Sequence, residues 1–187
     1  MNTIVTDWLS FTSVTETDLG QGTPWMNDAE ALNPTSSGGT YSVISTSGIS
    51  TNLYISGTFD LESMVPSYYQ LATIEVTRDV SSQSQLVRPV DNTFHLVKNG
   101  TIFGANKASP DPYPTSWDTR VTDFSDPAHT KTNITTLGVL YSALNPTAKY
   151  QIDARIRGVK VRFTFTTTYV PKVFLGNQSP TGLRLGN

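Results

Sequence analysis

The sequence predicts an all-β protein: an antiparallel, jelly-roll-like β-sandwich with extended N- and C-terminal arms. Three observations predict it. Short apolar runs of period two recur with turn residues between them. No stretch sustains the i, i+3, i+4, i+7 spacing of an amphipathic helix. Serine and threonine make up about a quarter of the chain, and Gly, Pro, Asn and aromatics are plentiful, a mixture that favours strands and turns. At 187 residues the chain can bury a real core within one domain.

Taken in order, residues 1–22 read as an N-terminal arm, 23–168 as the sandwich, and 169–187 as a C-terminal arm or hairpin. Within the sandwich, "YSVIST", "TNLYISGTF", "LATIEVTRDV", "NTFHLVKNG", "TIFGANKA", "DTRVTDF" and "TLGVLYSAL" are candidate strands. In "GVKVRFTF", Val159, Val161, Phe163 and Phe165 share one face while Lys160, Arg162, Thr164 and Thr166 share the other. Just upstream, Tyr150, Ile152, Ala154 and Ile156 alternate with Gln151, Asp153, Arg155 and Arg157. The apolar parity therefore switches across Gly158, which predicts a bulge or tight bend there. Ile74, Val76, Phe163 and Phe165 are expected in the core.

Composition excludes several function classes. A net charge of −2 with 15% charged residues offers no basic footprint for nucleic acid and no polybasic run for a membrane surface. Cysteine is absent, so no thiolate nucleophile, disulfide or cysteine zinc site exists. "MNTIVTDWLSFTSVTETD" has no basic region followed by an apolar run, and no segment approaches a membrane span, so a protein made without a leader is expected.

The stretch "FHLVKNGTIFGANKAS", 94–109, has three readings: a glycosylation acceptor at Asn99, a phosphate-binding loop, or a hairpin tip. A phosphate loop needs its glycines between a strand and a helix, whereas Gly100 and Gly104 lie in strand-rich sequence. Without a leader, the sequons at Asn99, Asn133 and Asn177 do not meet the glycosylation machinery. Asn99-Gly100 between two apolar runs is the pair that best tolerates both positive φ angles of a type I′ turn, so a hairpin is expected.

The same residues carry a resemblance. "WMNDAEALNPTSSGGTYSVIS", "ATIEVTRDV", "DNTFHLVKNGTIFGANKASPDPYPTSWDTRVTD", "NITTLGVLYSA" and "YQIDARIRGVKVRFTF" fall in that order where a β-sandwich module recurring in tailed-bacteriophage virion proteins has its characteristic segments. The most specific match is that module's V-x-L-V-K-x-G-x-x-x-G-x-N-K-A hairpin. The resemblance covers about Trp25 to Thr166. It departs from the module at Thr73, where glycine is usual, at Leu137, where phenylalanine is usual, and in "SSQSQLVRP", which looks like an insertion. It implies a virion structural protein, a capsid decoration (cement) or neck or tail accessory subunit of head decoration or tail accessory type. It further implies a homo-oligomer in the particle, assembled in the host cytoplasm, with the major capsid protein or neck and tail proteins as partners.

No constellation for catalysis converges in the sequence, so no enzymatic activity and no cofactor are expected. His95 and His129 stand alone. Ser125, Asp126 and His129 are too close in sequence to suggest a triad. Asp118 with Asp123, or Asp123 with Asp126, could act as a glycosidase pair only with carboxyls about 5 to 9.5 Å apart, and capping of turns is the commoner use of such aspartates. "SPDPYPTSWDTRVTDFSD" is rich in carboxylates yet lacks a dense D-x-D-x-D calcium pattern.

Two functional readings stay open. In the first, the arms bind neighbouring virion proteins: Trp8 and Phe11 from the N-terminal arm, and Val173, Phe174, Leu175, Leu183 and Leu185 from the C-terminal echo "VFLGN … LRLGN". Strand-sized apolar pieces can add to a neighbour's sheet edge, or each arm can fold back onto its own sandwich. In the second reading, a tail adhesin binds a host-surface glycan through ring faces at Tyr113 and Trp117, although Trp117 can equally cover the end of the core. Tyr68 and Tyr69 are further loop aromatics, and Trp25 is expected to be packed.

Overall fold

The computed structural model describes residues 2–17, 22–125, 131 and 134–168. Among the described residues there are eleven strands: β1 (Asn2–Val5), β2 (Leu9–Ser10), β3 (Ser13–Thr17), β4 (Thr40–Ile44), β5 (Asn52–Thr58), β6 (Gln70–Ser81), β7 (Val90–Lys98), β8 (Thr101–Phe103), β9 (Asp118–Asp123), β10 (Thr136–Leu144) and β11 (Ile152–Thr167). The described residues also include a 3-10 turn, Asp28–Leu32, and a short helix, α1 (Leu61–Met64), capped by the Asp60 side chain. No described helix is long and apolar enough to cross a membrane.

The strands form two antiparallel sheets packed face to face. One has six strands: β1, β11, β6 and β9 in that order, with β2 and β4 also paired to β11. The other has five, in the order β3-β5-β10-β7-β8. Alternation sends Ile74, Val76, Val161, Phe163 and Phe165 inward from the first sheet and Leu53, Ile55, Phe94, Leu96, Val139 and Tyr141 inward from the second. Ile74, Val76, Phe163 and Phe165, expected in the core from their spacing, are all fully buried.

The parity switch at Gly158 is a bulge. Arg157 pairs with Asp79 and Lys160 with Thr77, so Gly158 and Val159 together oppose Arg78. Gly158 has φ +61, and a Cβ there would lie 3.0 Å from the Cα of Pro34. Both the left-handed backbone and the close approach call for glycine.

The Asn-Gly hairpin also forms. Lys98 pairs with Thr101 across a two-residue turn in which Asn99 and Gly100 have φ of 48 and 79. Asn99 Oδ1 accepts from Thr135 N at 3.2 Å and Thr136 N at 3.0 Å, which clamps the hairpin to the start of β10. Downstream, Asn106 Oδ1 accepts from Phe94 N at 2.9 Å while its Nδ2 donates to Asn92 O at 3.0 Å. The Asn106 amide thus continues the ladder along β7 where β8 has ended, which accounts physically for the asparagine of the hairpin motif.

The N-terminal segment is extended, as expected, but it is not a free arm. β1 and β2 pair with β11, and β3 pairs with β5, so this segment crosses from one sheet to the other. Phe11 sits at the crossing, buried and edge-to-face with Phe59 at 5.7 Å. The reason is physical: unpaired strand backbone and a bare phenylalanine are both costly, and the sandwich itself supplies ladder partners and a pocket for them. Residues 169–187, including Val173, Phe174, Leu175, Leu183 and Leu185, lie outside the described residues.

Candidate functional site

The long strand β11 organises the outer face of the six-stranded sheet. Arg155, Arg157, Lys160 and Arg162 alternate outward, and the bulge keeps Arg157 and Lys160 on the same side despite their odd spacing. Arg155 pairs with Asp153 at 2.7 Å, Arg157 with Asp79 at 3.2 Å and Arg162 with Glu75 at 2.8 Å. Each of these guanidinium groups also faces an aromatic ring: Tyr41 at 5.7 Å, Trp117 at 4.2 Å and Trp8 at 4.5 Å from the ring centroid.

These contacts place two sequence-predicted site residues. Trp8, expected to bind a neighbour, is half-buried and stacked on Arg162 of its own chain. Trp117, expected either to cover the core or to stack on a sugar, is half-buried on Arg157. Phe11 is removed from the partner-binding set by its burial in the core.

Tyr113 needs a correction as well. Its side chain is 0% exposed and its hydroxyl donates to Asp91 Oδ1 at 2.7 Å, so it offers no ring face to a glycan. The pull comes from a buried polar cluster that sequence reasoning missed. Arg78 of β6 points into the core, ion-paired with Asp91 of β7, and lies over the Phe94 ring at 3.9 Å. Tyr141 donates to the same carboxylate at 3.2 Å, and Ser109 N donates to Asp91 Oδ2 at 3.0 Å. Burial, then the Asp91 charge, holds the Tyr141 phenol in its neutral form well above the usual tyrosine pKa. The parity of Ile74 and Val76 did put Arg78 on the core face; nothing local pointed to Asp91 as its partner.

This cluster anchors the 109–117 loop from inside, and backbone bonds anchor it from outside. Tyr113 N donates to Pro89 O at 2.9 Å, Ser82 N to Pro114 O at 2.8 Å, and Arg120 reaches Asp111 O at 3.0 Å and Pro112 O at 2.9 Å. Trp117 at the end of the loop is therefore held in place. Its ring runs against Gly39, where a Cβ would lie 2.6 Å from the indole Cη2.

Gly39 lines a groove of about 520 Å³ between the turn at 27–30 and the loop at 36–39. Arg157 Nη1 donates to Ser36 O, and Gly39 N donates to Ser36 Oγ at 3.0 Å, fixing that loop. On the other side, Thr40 Oγ1 donates to Asn27 O at 2.9 Å and to Asp28 O at 3.0 Å. Asp28 lines this groove, and its Oδ1 is buried with no hydrogen-bond partner among the described residues. Burial, with Glu16 nearby, raises the Asp28 pKa.

The remaining candidates do not converge. Asp118 and Asp123 lie at opposite ends and on opposite faces of β9, about 16 Å apart along the strand. Asp118 is beside Arg120 at 3.7 Å, and Asp123 accepts from Ser125 N at 2.7 Å. His95 is half-buried on the outward side of β7, and its Nδ1 has no partner among the described residues. Asp126, His129 and Asn133 lie outside the described residues. Tyr69 is buried against the exposed Tyr68, their rings 5.2 Å apart. Trp25 is packed as expected, its indole donating to Thr51 O at 2.8 Å.

No family model matches the chain, and no curated protein matches it. Among solved structures it is similar to a CBM4 structure at 12% identity and TM-score 0.40, over 66% of this chain and 70% of that one. It is similar to the enzymatically active domain of bacteriophage CBA120 tailspike protein 4 at 10% identity and TM-score 0.41, over 86% of this chain but 19% of that one. A third likeness is to the family 11 carbohydrate-binding module of the cellulosomal cellulase Lic26A-Cel5E of Clostridium thermocellum, at 12% identity and TM-score 0.35, over 86% of this chain and 87% of that one. Likenesses this distant carry no argument about what this chain binds.

Proposed function

We propose that the chain is a non-catalytic structural subunit of a tailed-bacteriophage virion, a capsid decoration or neck or tail accessory protein that works by surface contact with its neighbours. One observation carries this reading: the hairpin "FHLVKNGTIFGANKA", which resembles the virion module. Its distinctive residues have identifiable structural tasks here, Asn99 and Gly100 in the turn and Asn106 extending the ladder. The wide separation of Asp118 and Asp123 supports a non-catalytic role. With β1 to β3 built into the sandwich, the contact surface passes to residues 170–187 and to the outer faces.

Mass spectrometry and gold labelling of purified particles test the reading. The full-length chain is expected at fixed stoichiometry at one location, and a chain lacking 170–187 is expected to fold yet fail to incorporate. Absence of the full-length chain from particles overturns the virion assignment. Incorporation of the shortened chain at full stoichiometry moves the contact onto the sandwich itself. Turnover of a glycan or ester substrate that disappears on Asp118→Asn or Asp123→Asn would overturn the non-catalytic part.

A second reading, a glycan-binding tail adhesin, is favoured by the half-buried Trp117 ring, which is held at the surface against Arg157 and Gly39.

A further inference from the structure

We propose that β1 is a self-pairing edge: two copies of the chain join antiparallel along Asn2–Val5, across a two-fold axis through Ile4, and their six-stranded sheets become one. The proposal goes beyond the virion reading, because it concerns the free chain in solution and holds or fails without reference to a particle.

The open side of β1 follows from its register. Among the described strands β1 pairs with β11 alone, Asn2 opposite Thr167 and Ile4 opposite Phe165. Thr6 N donates to Phe163 O at 3.0 Å, and in an antiparallel ladder alternate residues bond on the same side. Asn2, Ile4 and Thr6 therefore turn their backbone groups towards β11, while Thr3 and Val5 turn theirs away. Both Thr3 and Val5 are exposed, and no described strand meets them on that side.

The other sheet edges are occupied, short or charged. Met26 N and O bond to Tyr41 of β4 at 2.7 and 3.1 Å, and Trp25 N donates to Glu16 of β3 at 2.7 Å. β8 is only three residues long. β9 carries Asp118, Arg120 and Asp123, and Arg120 reaches back to the carbonyls of Asp111 and Pro112. Self-pairing of β9 about its midpoint would set Asp118 against Asp123 of the second copy, like charge against like. By contrast "NTIV" of β1 has no charge and no proline, the residues that commonly keep a natural edge from pairing.

This chemistry selects a second copy as the occupant. With the axis at Ile4, Thr3 of each copy lies opposite Val5 of the other, so every open N–H meets an open C=O. Ile4, half-buried against the core, meets Ile4 of the second copy at the close, non-hydrogen-bonded position. The contact is self-complementary, as a two-fold interface requires, and it opposes no charges. A four-residue edge is a small interface, so the pairing is weak in free solution and gains from the high local concentration of an assembly.

The test is sedimentation of the full-length protein from about 10 μM to about 1 mM, with amide exchange of residues 2–6 followed over the same range. A dimer is expected to grow in with concentration. The Thr3 and Val5 amides should gain protection as it does, whereas Ile4 and Thr6 are protected throughout. Val5→Pro removes an outward N–H at a position where an edge strand tolerates proline. It should weaken association roughly tenfold or more while Ile4 and Thr6 stay protected. Two double variants check the register: Thr3→Lys with Val5→Glu sets opposite charges across the axis and should still dimerise, and Thr3→Lys with Val5→Lys should not. Four results would overturn the proposal: a monomer at every concentration, protection of Thr3 and Val5 that is independent of concentration, undiminished association of Val5→Pro, or equal association of the two double variants.

Discussion

Arg78 on one sheet is ion-paired with Asp91 on the other across the interior of the sandwich, with side-chain exposures of 1% and 0%. Asp91 also accepts from Tyr113, Tyr141 and Ser109 N, so its four donors approach from β6, β10 and the 109–117 loop. Arg78 is less completely satisfied: its Nε has no partner among the described residues.

Removing one member of this pair should therefore be severe. Asp91→Ala strands a buried guanidinium and three further donors and is expected to cost about 3 to 5 kcal/mol, with Arg78→Met costing less. The double variant Arg78→Met with Asp91→Leu should be less destabilised than Asp91→Ala alone. Urea unfolding midpoints decide it, and additive losses would show that the two side chains act independently.

Alkaline stability should depend on Tyr141. Above about pH 10 the unfolded chain releases the phenolic proton while the folded chain retains it, so folded protein binds more protons and stability falls as pH rises. Below that pH the contribution is complete. Tyr141→Phe should flatten the loss above about pH 10 and cost about 1 kcal/mol at neutral pH for the lost bond to Asp91. Unfolding followed between pH 8 and pH 12, in roughly half-unit steps, measures both effects.

Phe11 and Trp8, neighbours in the N-terminal segment, should behave differently. Phe11→Ala opens a core cavity and is expected to cost about 3 to 5 kcal/mol, comparable to Phe163→Ala. Trp8→Ala loses a half-exposed stack on Arg162, worth about 1 kcal/mol or less. Amide exchange across residues 2–17 should accelerate strongly in the first variant. Near-neutral stability of Phe11→Ala would instead mean that the segment is a detachable arm.

Gly158→Ala should strain the bulge on two counts, a left-handed φ and a Cβ against Pro34, for about 1 to 3 kcal/mol. Because the bulge sets the outward register of Arg157 and Lys160, indole fluorescence from Trp117 should change with it. An unchanged spectrum and midpoint would show that the bulge relocates without cost.

The sequence by itself determined what depends on near neighbours. Period-two alternation placed Ile74, Val76, Phe163 and Phe165 in the core, the Asn99-Gly100 pair specified its turn, and the parity switch located the bulge at Gly158. Each follows from backbone sterics and side-chain direction within a few residues. Only the tertiary structure decided the rest. β1 to β3 are short and weakly patterned, and what settles them is the presence of open ladder positions on β11 and β5. Tyr113 and Trp117 read alike in sequence, yet one is drawn inward by Asp91 and the other is held at the surface by Arg157 and Gly39. In each case the deciding partner lies more than ten residues away in sequence, so burial and pairing exist only once the two sheets have closed.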